Sequence, residues 1–169
     1  LIYFQRMLEM CDIANIPALS IMYEEHYWSK YISSIKKNQK LIELFKVIKG
    51  NSIKIGIITD LTASIQFRKL IHLGISPFIN AIVTSEESGQ DKPNCTCFSL
   101  MDEKINPSRR NFIYWMIGDH IIKDLKGAKA ELNATTFHVS NAKPKAGQNF
   151  INHTLSDITE LLSYIPKKL

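Results

Sequence analysis

Thirteen residues, 112–124, constrain this chain more than any other stretch; they read FIYWMIGDHIIKD. The apolar run stops at Gly118, and two acids, Asp119 and Asp124, follow five positions apart. An uninterrupted apolar run bounded by a turn residue suits a strand buried on both faces of a parallel sheet. The working crevice of such a sheet lies beyond the carboxyl ends of its strands. Asp119 then stands where an open α/β sheet keeps its chemistry. Two carboxylates at that place suit an oxygen-liganded cation such as magnesium.

The remaining pattern supplies the sheet and helices that such a strand needs. Residues 1–49 read as helical: Pro17 fits a first turn, and Leu19, Met22, Tyr23, Trp28, Tyr31, Ile32 and Ile35 recur at helical spacing. Leu41, Leu44, Phe45 and Ile48 repeat the pattern in a helix ending near Gly50. The aromatic stripe Tyr23, Tyr27, Trp28 and Tyr31 fits packing better than ligand contact. From residue 50 onward strands alternate with helices. Strands are expected over 53–59, 81–84, 112–117 and 135–139. Helices are expected over 64–73, closed by Gly74, over 93–104, over 121–130 and over 156–164, capped by Ser156. Such alternation means an α/β fold, a Rossmann-like parallel sheet with helices on both faces.

Composition removes several classes of function. The net charge of +5 is scattered, with short clusters at Lys36 and Lys37, Arg109 and Arg110, and Lys167 and Lys168. No stripe interleaves these with aromatics, which argues against nucleic-acid binding. Cys11, Cys95 and Cys97 form neither a disulfide framework nor a zinc spacing, so reduced thiols and a cytoplasmic location are expected. No apolar stretch approaches 18 residues, which argues against a membrane span or a signal peptide.

Four side chains fall at strand ends or helix starts: Thr59 in IGIITD, Lys92 in SEESGQDKPNCTCF, and Asp119 and Asp124. Together with the Asp60 amide they offer a hydroxyl and backbone N–H for an anion, an ammonium to offset it, and carboxylates for a metal. That is the set that holds a phosphoryl group, where positioning and charge stabilisation dominate catalysis. Read singly, Thr59 also fits a strand-end turn, Lys92 a solvated loop, and Asp124 an acid favoured by a helix dipole. His120 fits a solvent-facing neighbour better than a catalytic group, and Gly127 and Ala128 fit close helix packing.

In that order and context, the segments IGIITDLTASIQFRKLIHLGI, AIVTSEESGQDKPNCTCF and IGDHIIKDLKGAKA resemble the second, third and fourth motifs of the haloacid dehalogenase (HAD)-like hydrolases. The likeness is to the phosphatases with a helical cap inserted early in the core. It implies a partial cap over 1–49 and a HAD-like core over 50–169. It implies that Thr59 and Asp60 bind phosphoryl oxygens, that Lys92 tethers the phosphate, and that Asp119 and Asp124 ligate Mg2+.

The family's first motif, an apolar strand ending in Asp-x-Asp, has no counterpart here; after Asp12, position 14 is alanine. In the family its first aspartate attacks phosphorus and its second serves as acid and base. That strand lies at the sheet centre, between the strands expected at 53–59 and 112–117. Without it two apolar strands lose a ladder partner, and each buried orphan group costs about 1–3 kcal/mol. The gap is expected to be filled by more of the same protein, by a strand from a partner or a second copy in a homodimer, or closed by direct pairing of the halves. The expectation is a Mg2+-dependent phosphatase of a small phosphorylated metabolite, truncated and inactive as this chain. The alternative is a non-catalytic binder of phosphate-bearing ligands that kept the fold; a receiver-type phosphoacceptor fits the motifs less well.

Overall fold

A computed structural model describes residues 1–142 and 149–166; Lys167 and Lys168 lie outside them. Helices α1 (Ile2–Met10) and α2 (Ile16–Ser34) pack on each other through Leu8 and a Phe4–Tyr27 contact with ring centroids 5.7 Å apart. Pro17 lies in the first turn of α2, where a missing N–H costs nothing. Within the aromatic stripe Tyr27, Trp28 and Tyr31 contact one another, and Lys69 lies 5.5 and 5.4 Å over the Trp28 and Tyr31 rings, while Tyr23, Tyr27 and Tyr31 remain exposed. Helix α3 (Gln39–Gly50) starts at Asn38, whose side chain accepts from the Lys40 and Leu41 amides, and buries Leu44, Phe45 and Ile48.

Strand β1 (Gly56–Thr59) leads to α4 (Ala63–Leu73), which ends at left-handed Gly74. A 3-10 turn (Ser76–Phe78), β2 (Ala81–Thr84), a single turn α5 (Ser85–Ser88) and α6 (Cys95–Ile105) follow. Then come β3 (Trp115–Gly118), a π-helix (Ile121–Lys126), α7 (Gly127–Leu132), β4 (Thr135–Val139), β5 (His153–Leu155) and a 3-10 helix (Ile158–Ser163).

Several boundaries differ from the sequence expectation, each for a local reason. Strand β1 starts at Gly56, not 53, because Ile55 gives its amide to the Asn80 side chain and its carbonyl to the Asn80 amide. A Cβ at Gly56 would stand 2.5 Å from Met101 Sδ, so glycine lets α6 lie close. Strand β3 starts at Trp115, not 112, because its partner β4 begins only at Thr135. The helix expected over 121–130 opens as a wide π turn before α7. The terminal helix is 3-10 and is capped by Asp157, not Ser156; Asp157 Oδ1 accepts from the Thr159 amide at 2.8 Å. Strand β5 was not expected.

All strands pair in parallel, in two sheets: β1–β2, with Gly56 opposite Ala81, and β3–β4–β5, with Trp115 opposite Thr135 and Phe137 opposite His153. The sequence expectation is a parallel sheet that lacks its central strand, with the gap filled from elsewhere or closed by the two halves. The two halves do not pair directly, which overturns the closed-gap option. They nevertheless run the same way. At the amino ends Lys54 donates to the Ile105 carbonyl and lies over the Phe112 ring, and at the carboxyl ends Lys92 joins Ile58 to Asp124. Each half therefore turns a free backbone edge, β1 or β3, toward the other. No residue of either strand is fully buried, whereas β2 and β4 are largely buried.

Helices cover both faces. On one, Val83, Phe98, Met101, Ile105 and Ala128 form a core that takes Ile58 of β1 and Met116 of β3. On the other, Leu44, Ile48, Phe137, Leu155 and Leu161 take Ile55, Trp115 and Ile117. Phe45, Leu70 and Ile75 fill a third cluster behind β2. Gly127 lets α7 close on this packing: a Cβ there would stand 2.5 Å from Phe98 Cε2 and 2.8 Å from Cζ. Gly127→Ala is therefore expected to destabilise the chain by about 1–3 kcal/mol through overpacking, read as a lower urea midpoint at unchanged slope. Among the described residues no helix is long and apolar enough to cross a membrane.

Candidate active site

The carboxyl ends of β1 and β3, with the loops after them, gather the charged residues singled out above. Thr59 closes β1, and its hydroxyl donates to the Asp60 carbonyl at 3.2 Å. Gln66, one turn into α4, donates to the same carbonyl at 2.7 Å. Leu61 takes φ 83°, a left-handed conformation disfavoured for a branched side chain, and its amide is held by Ser85 Oγ at 3.0 Å. This turn directs the Asp60 carboxylate to the 92 segment: Oδ1 accepts from the Lys92 amide at 3.2 Å.

Lys92 reaches across the gap between the sheets. Its Nζ donates to Asp124 Oδ1 at 2.7 Å and to the Ile58 carbonyl at 3.2 Å. Both side chains are largely withdrawn from water, at 14% and 7% exposure. Asp124 Oδ2 accepts from the His120 amide at 3.1 Å, so both carboxylate oxygens are engaged. A Cβ on Gly118 would stand 2.6 Å from Asp124 Cβ, which is why that carboxylate can lie so close to the strand end. The π-helix makes the loop compact. The His120 carbonyl accepts from the Asp124 amide at 2.8 Å, and its ring Nδ1 accepts from the Lys123 amide at 3.1 Å.

The structure thus joins Asp60, Lys92 and Asp124 directly and sets Thr59 beside them in β1. Asp119 stands on the same loop as Asp124, but its carboxylate is exposed and forms no hydrogen bond or ion pair among the described residues. Its carbonyl accepts from His138 Nε2 at 3.2 Å. Behind the site, burial pushes the Cys97 thiol pKa upward despite the opposing pull of Lys92.

Two contributors escaped the sequence reading. Lys123 reaches Asp60 Oδ2 at 3.4 Å, a second bridge between the halves. It adjoins Asp124 in sequence, and from the π turn both consecutive side chains reach the gap. His138 lies at the carboxyl end of β4, so the strand-end rule that picked out Thr59 and Asp119 applied to it equally.

Chemically, the site offers two ammonium groups for an anion and hard carboxylate oxygens for a cation. No group of three Asp, Glu, His or Cys side chains converges among the described residues. A small divalent cation that keeps several waters and takes one or two carboxylates fits that donor set. An open cleft of about 540 Å³ is lined by Leu61, Thr62, Ser85, Glu86 and residues 89–91, which include the chain neighbours of Asp60 and Lys92 but neither of those two residues. A cleft of similar size, about 530 Å³, lies by Arg109, Arg110 and Tyr114, where the strands begin and far from these groups.

Comparison with known proteins gives a consistent answer. The family model described as haloacid dehalogenase-like hydrolase matches residues 4–139. A ribulose-1,5-bisphosphate 5-phosphatase from Halopiger xanaduensis is 28% identical over 96% of this chain and 72% of its own length. A glyceraldehyde 3-phosphate phosphatase from Methanocaldococcus jannaschii is 29% identical over 82% of this chain, which spans 60% of that relative. Among solved structures, a HAD phosphatase from Thermococcus onnurineus superposes with TM-score 0.72 at 20% identity, over 93% of this chain and 67% of its own. A putative HAD-hydrolase from Bacillus subtilis bound to magnesium gives 0.70 at 19% identity, over 86% and 62%.

Proposed function

The chain belongs to the haloacid dehalogenase-like hydrolases, and on that footing we propose that it carries the phosphate- and magnesium-binding part of a phosphatase for a small phosphorylated metabolite. The observation that carries this reading is the Lys92 bridge between the β1 carbonyl and Asp124, with Asp60 beside it. In this reading the Thr59 hydroxyl and the Asp60 amide donate to phosphoryl oxygens, and Lys92 offsets their charge. Asp119 and Asp124 hold Mg2+, which supplies charge neutralisation at the phosphoryl group when bound. Two relatives act on small sugar or triose phosphates by name, which supports the substrate class. Residues 1–49 serve as a partial cap ahead of the α/β core, with α3 at the end of that segment packing Leu44 and Ile48 against Phe137 and Leu155, and the three free cysteines suit a cytoplasmic setting.

The attacking carboxylate is the missing element. The edges of β1 and β3, unpaired with each other among the described residues, suit an apolar strand ending in Asp-x-Asp, supplied by another segment of the protein or by a second chain. Residues 1–169 alone are expected to show no magnesium-dependent release of p-nitrophenol from p-nitrophenyl phosphate. Robust turnover that Asp119→Ala abolishes would show that a nucleophile is present after all. The same geometry also serves a binder that holds phosphate without cleaving it. That reading wins if the full coding sequence holds no apolar run ending in Asp-x-Asp and inorganic phosphate binds in a Lys92-dependent way.

A further inference from the structure

His138 is an unusual side chain for its place. It lies in β4, the middle strand of its sheet, opposite Gly118 of β3 and Thr154 of β5, and is only 6% exposed. Nε2 lies 3.2 Å from the Asp119 carbonyl oxygen. A carbonyl only accepts, so this contact places the ring hydrogen on Nε2, and that tautomer leaves Nδ1 as a bare acceptor. That Nδ1 is buried and has no hydrogen-bond partner among the described residues. A buried orphan acceptor is a stability cost that largely cancels one neutral hydrogen bond. Packing therefore gives little reason for an imidazole here, and its one polar contact leads to the loop that carries Asp119.

That contact differs from the others in the loop. The His120 amide, the Asp124 amide and the Lys123 amide are all bonded to groups within residues 120–124. Side chains tie Lys123 to Asp60 and Asp124 to Lys92. The Asp119 peptide has neither kind of tie. Among the described residues its carboxylate has no partner, and its carbonyl is held from the neighbouring strand by His138.

We propose that His138 is a positioning residue for the cation site: by fixing the Asp119 peptide it sets where the Asp119 carboxylate is presented. This inference rests on Asp119 being a metal ligand. Groups one bond removed from a metal ligand commonly govern affinity by tenfold or more.

The test is Mn2+ binding to the 169-residue chain, followed by the loss of the free-ion EPR signal, with the melting temperature measured on the same samples. His138→Leu keeps similar bulk and removes both ring nitrogens. Its melting temperature should be unchanged or raised, because the orphan Nδ1 goes with the hydrogen bond, while Mn2+ affinity falls about tenfold. His138→Gln retains an N–H donor and should recover most of that loss. A purely structural histidine predicts the opposite split, a lower melting temperature with unaltered Mn2+ affinity, and that result overturns the proposal. Asp119→Asn separates the two readings. If it abolishes Mn2+ binding while His138→Leu does not weaken it, the positioning role falls and the metal site stands. If wild type and Asp119→Asn bind alike, or neither binds, both fall. As a check that needs no variant, 15N spectra of the wild type should show His138 as the Nε2–H tautomer; the Nδ1–H tautomer would refute the contact itself.

Discussion

Asp124→Ala is expected to lower the stability of the chain by about 3–5 kcal/mol, because it strands a withdrawn ammonium. Lys92 Nζ would keep only the Ile58 carbonyl, and the His120 amide would lose its acceptor. For a chain of this length the melting temperature should fall by on the order of 10 °C. The pair is shielded from solvent, so added salt should not reproduce the effect as it does for an exposed ion pair. Asp124→Asn keeps one acceptor oxygen, for Lys92 or for the His120 amide, and turns its NH2 toward the other donor, so it should cost less than alanine but not restore the pair. Denaturant midpoints for the two variants decide the matter: equal small losses from both would mean that Lys92 finds water instead, and that the bridge is incidental to the fold.

The second large effect lies in the core. Phe98 is fully buried in α6, against Gly127 of α7 and beneath a cluster fed by both half-sheets. Phe98→Ala should cost about 3–5 kcal/mol, the sum of lost transfer energy and a cavity that rigid neighbours cannot fill. Typical stabilities are about 5–15 kcal/mol, so the variant should approach marginal folding at 37 °C. The urea midpoint should drop sharply. A loss below about 1 kcal/mol would mean that α7 collapses into the space, contradicting the tight Gly127 contact.

Much of this architecture is legible in the chain because the signals are redundant. Glycine at 74 and the 135–139 strand hold in the structure, while the apolar run before Gly118 holds only as a shorter, half-buried strand, Trp115–Gly118. The acids and lysine of the site are legible because strand ends mark where such sheets keep their polar groups. What was missed depends on partners that sequence patterning cannot see. The start of β1 is set by Asn80, twenty-five residues away from Ile55. The π turn over Ile121–Lys126 sits where sequence periodicity reads an ordinary helix, and Lys123 reaches Asp60 from it. Strand β5 is three residues long, below what alternation can signal, and forms because β4 offers it an edge. The divided sheet itself was half legible: the missing motif announced two free edges, but that the halves stay apart without pairing is a property of the packed helices.

The division also shapes how the polypeptide can assemble. Partners within each half are close along the chain: Gly56 meets Ala81, Trp115 meets Thr135 and Phe137 meets His153. No ladder crosses from one half to the other, so each can close through short loops at small entropic cost and without waiting for its neighbour. Helix α6 then joins two largely independent foldons, through the apolar core and through polar contacts such as Lys104 to the Ile82 carbonyl and Asp102 to Tyr114. A strand arriving from elsewhere would enter last, stitching together a scaffold that had already formed.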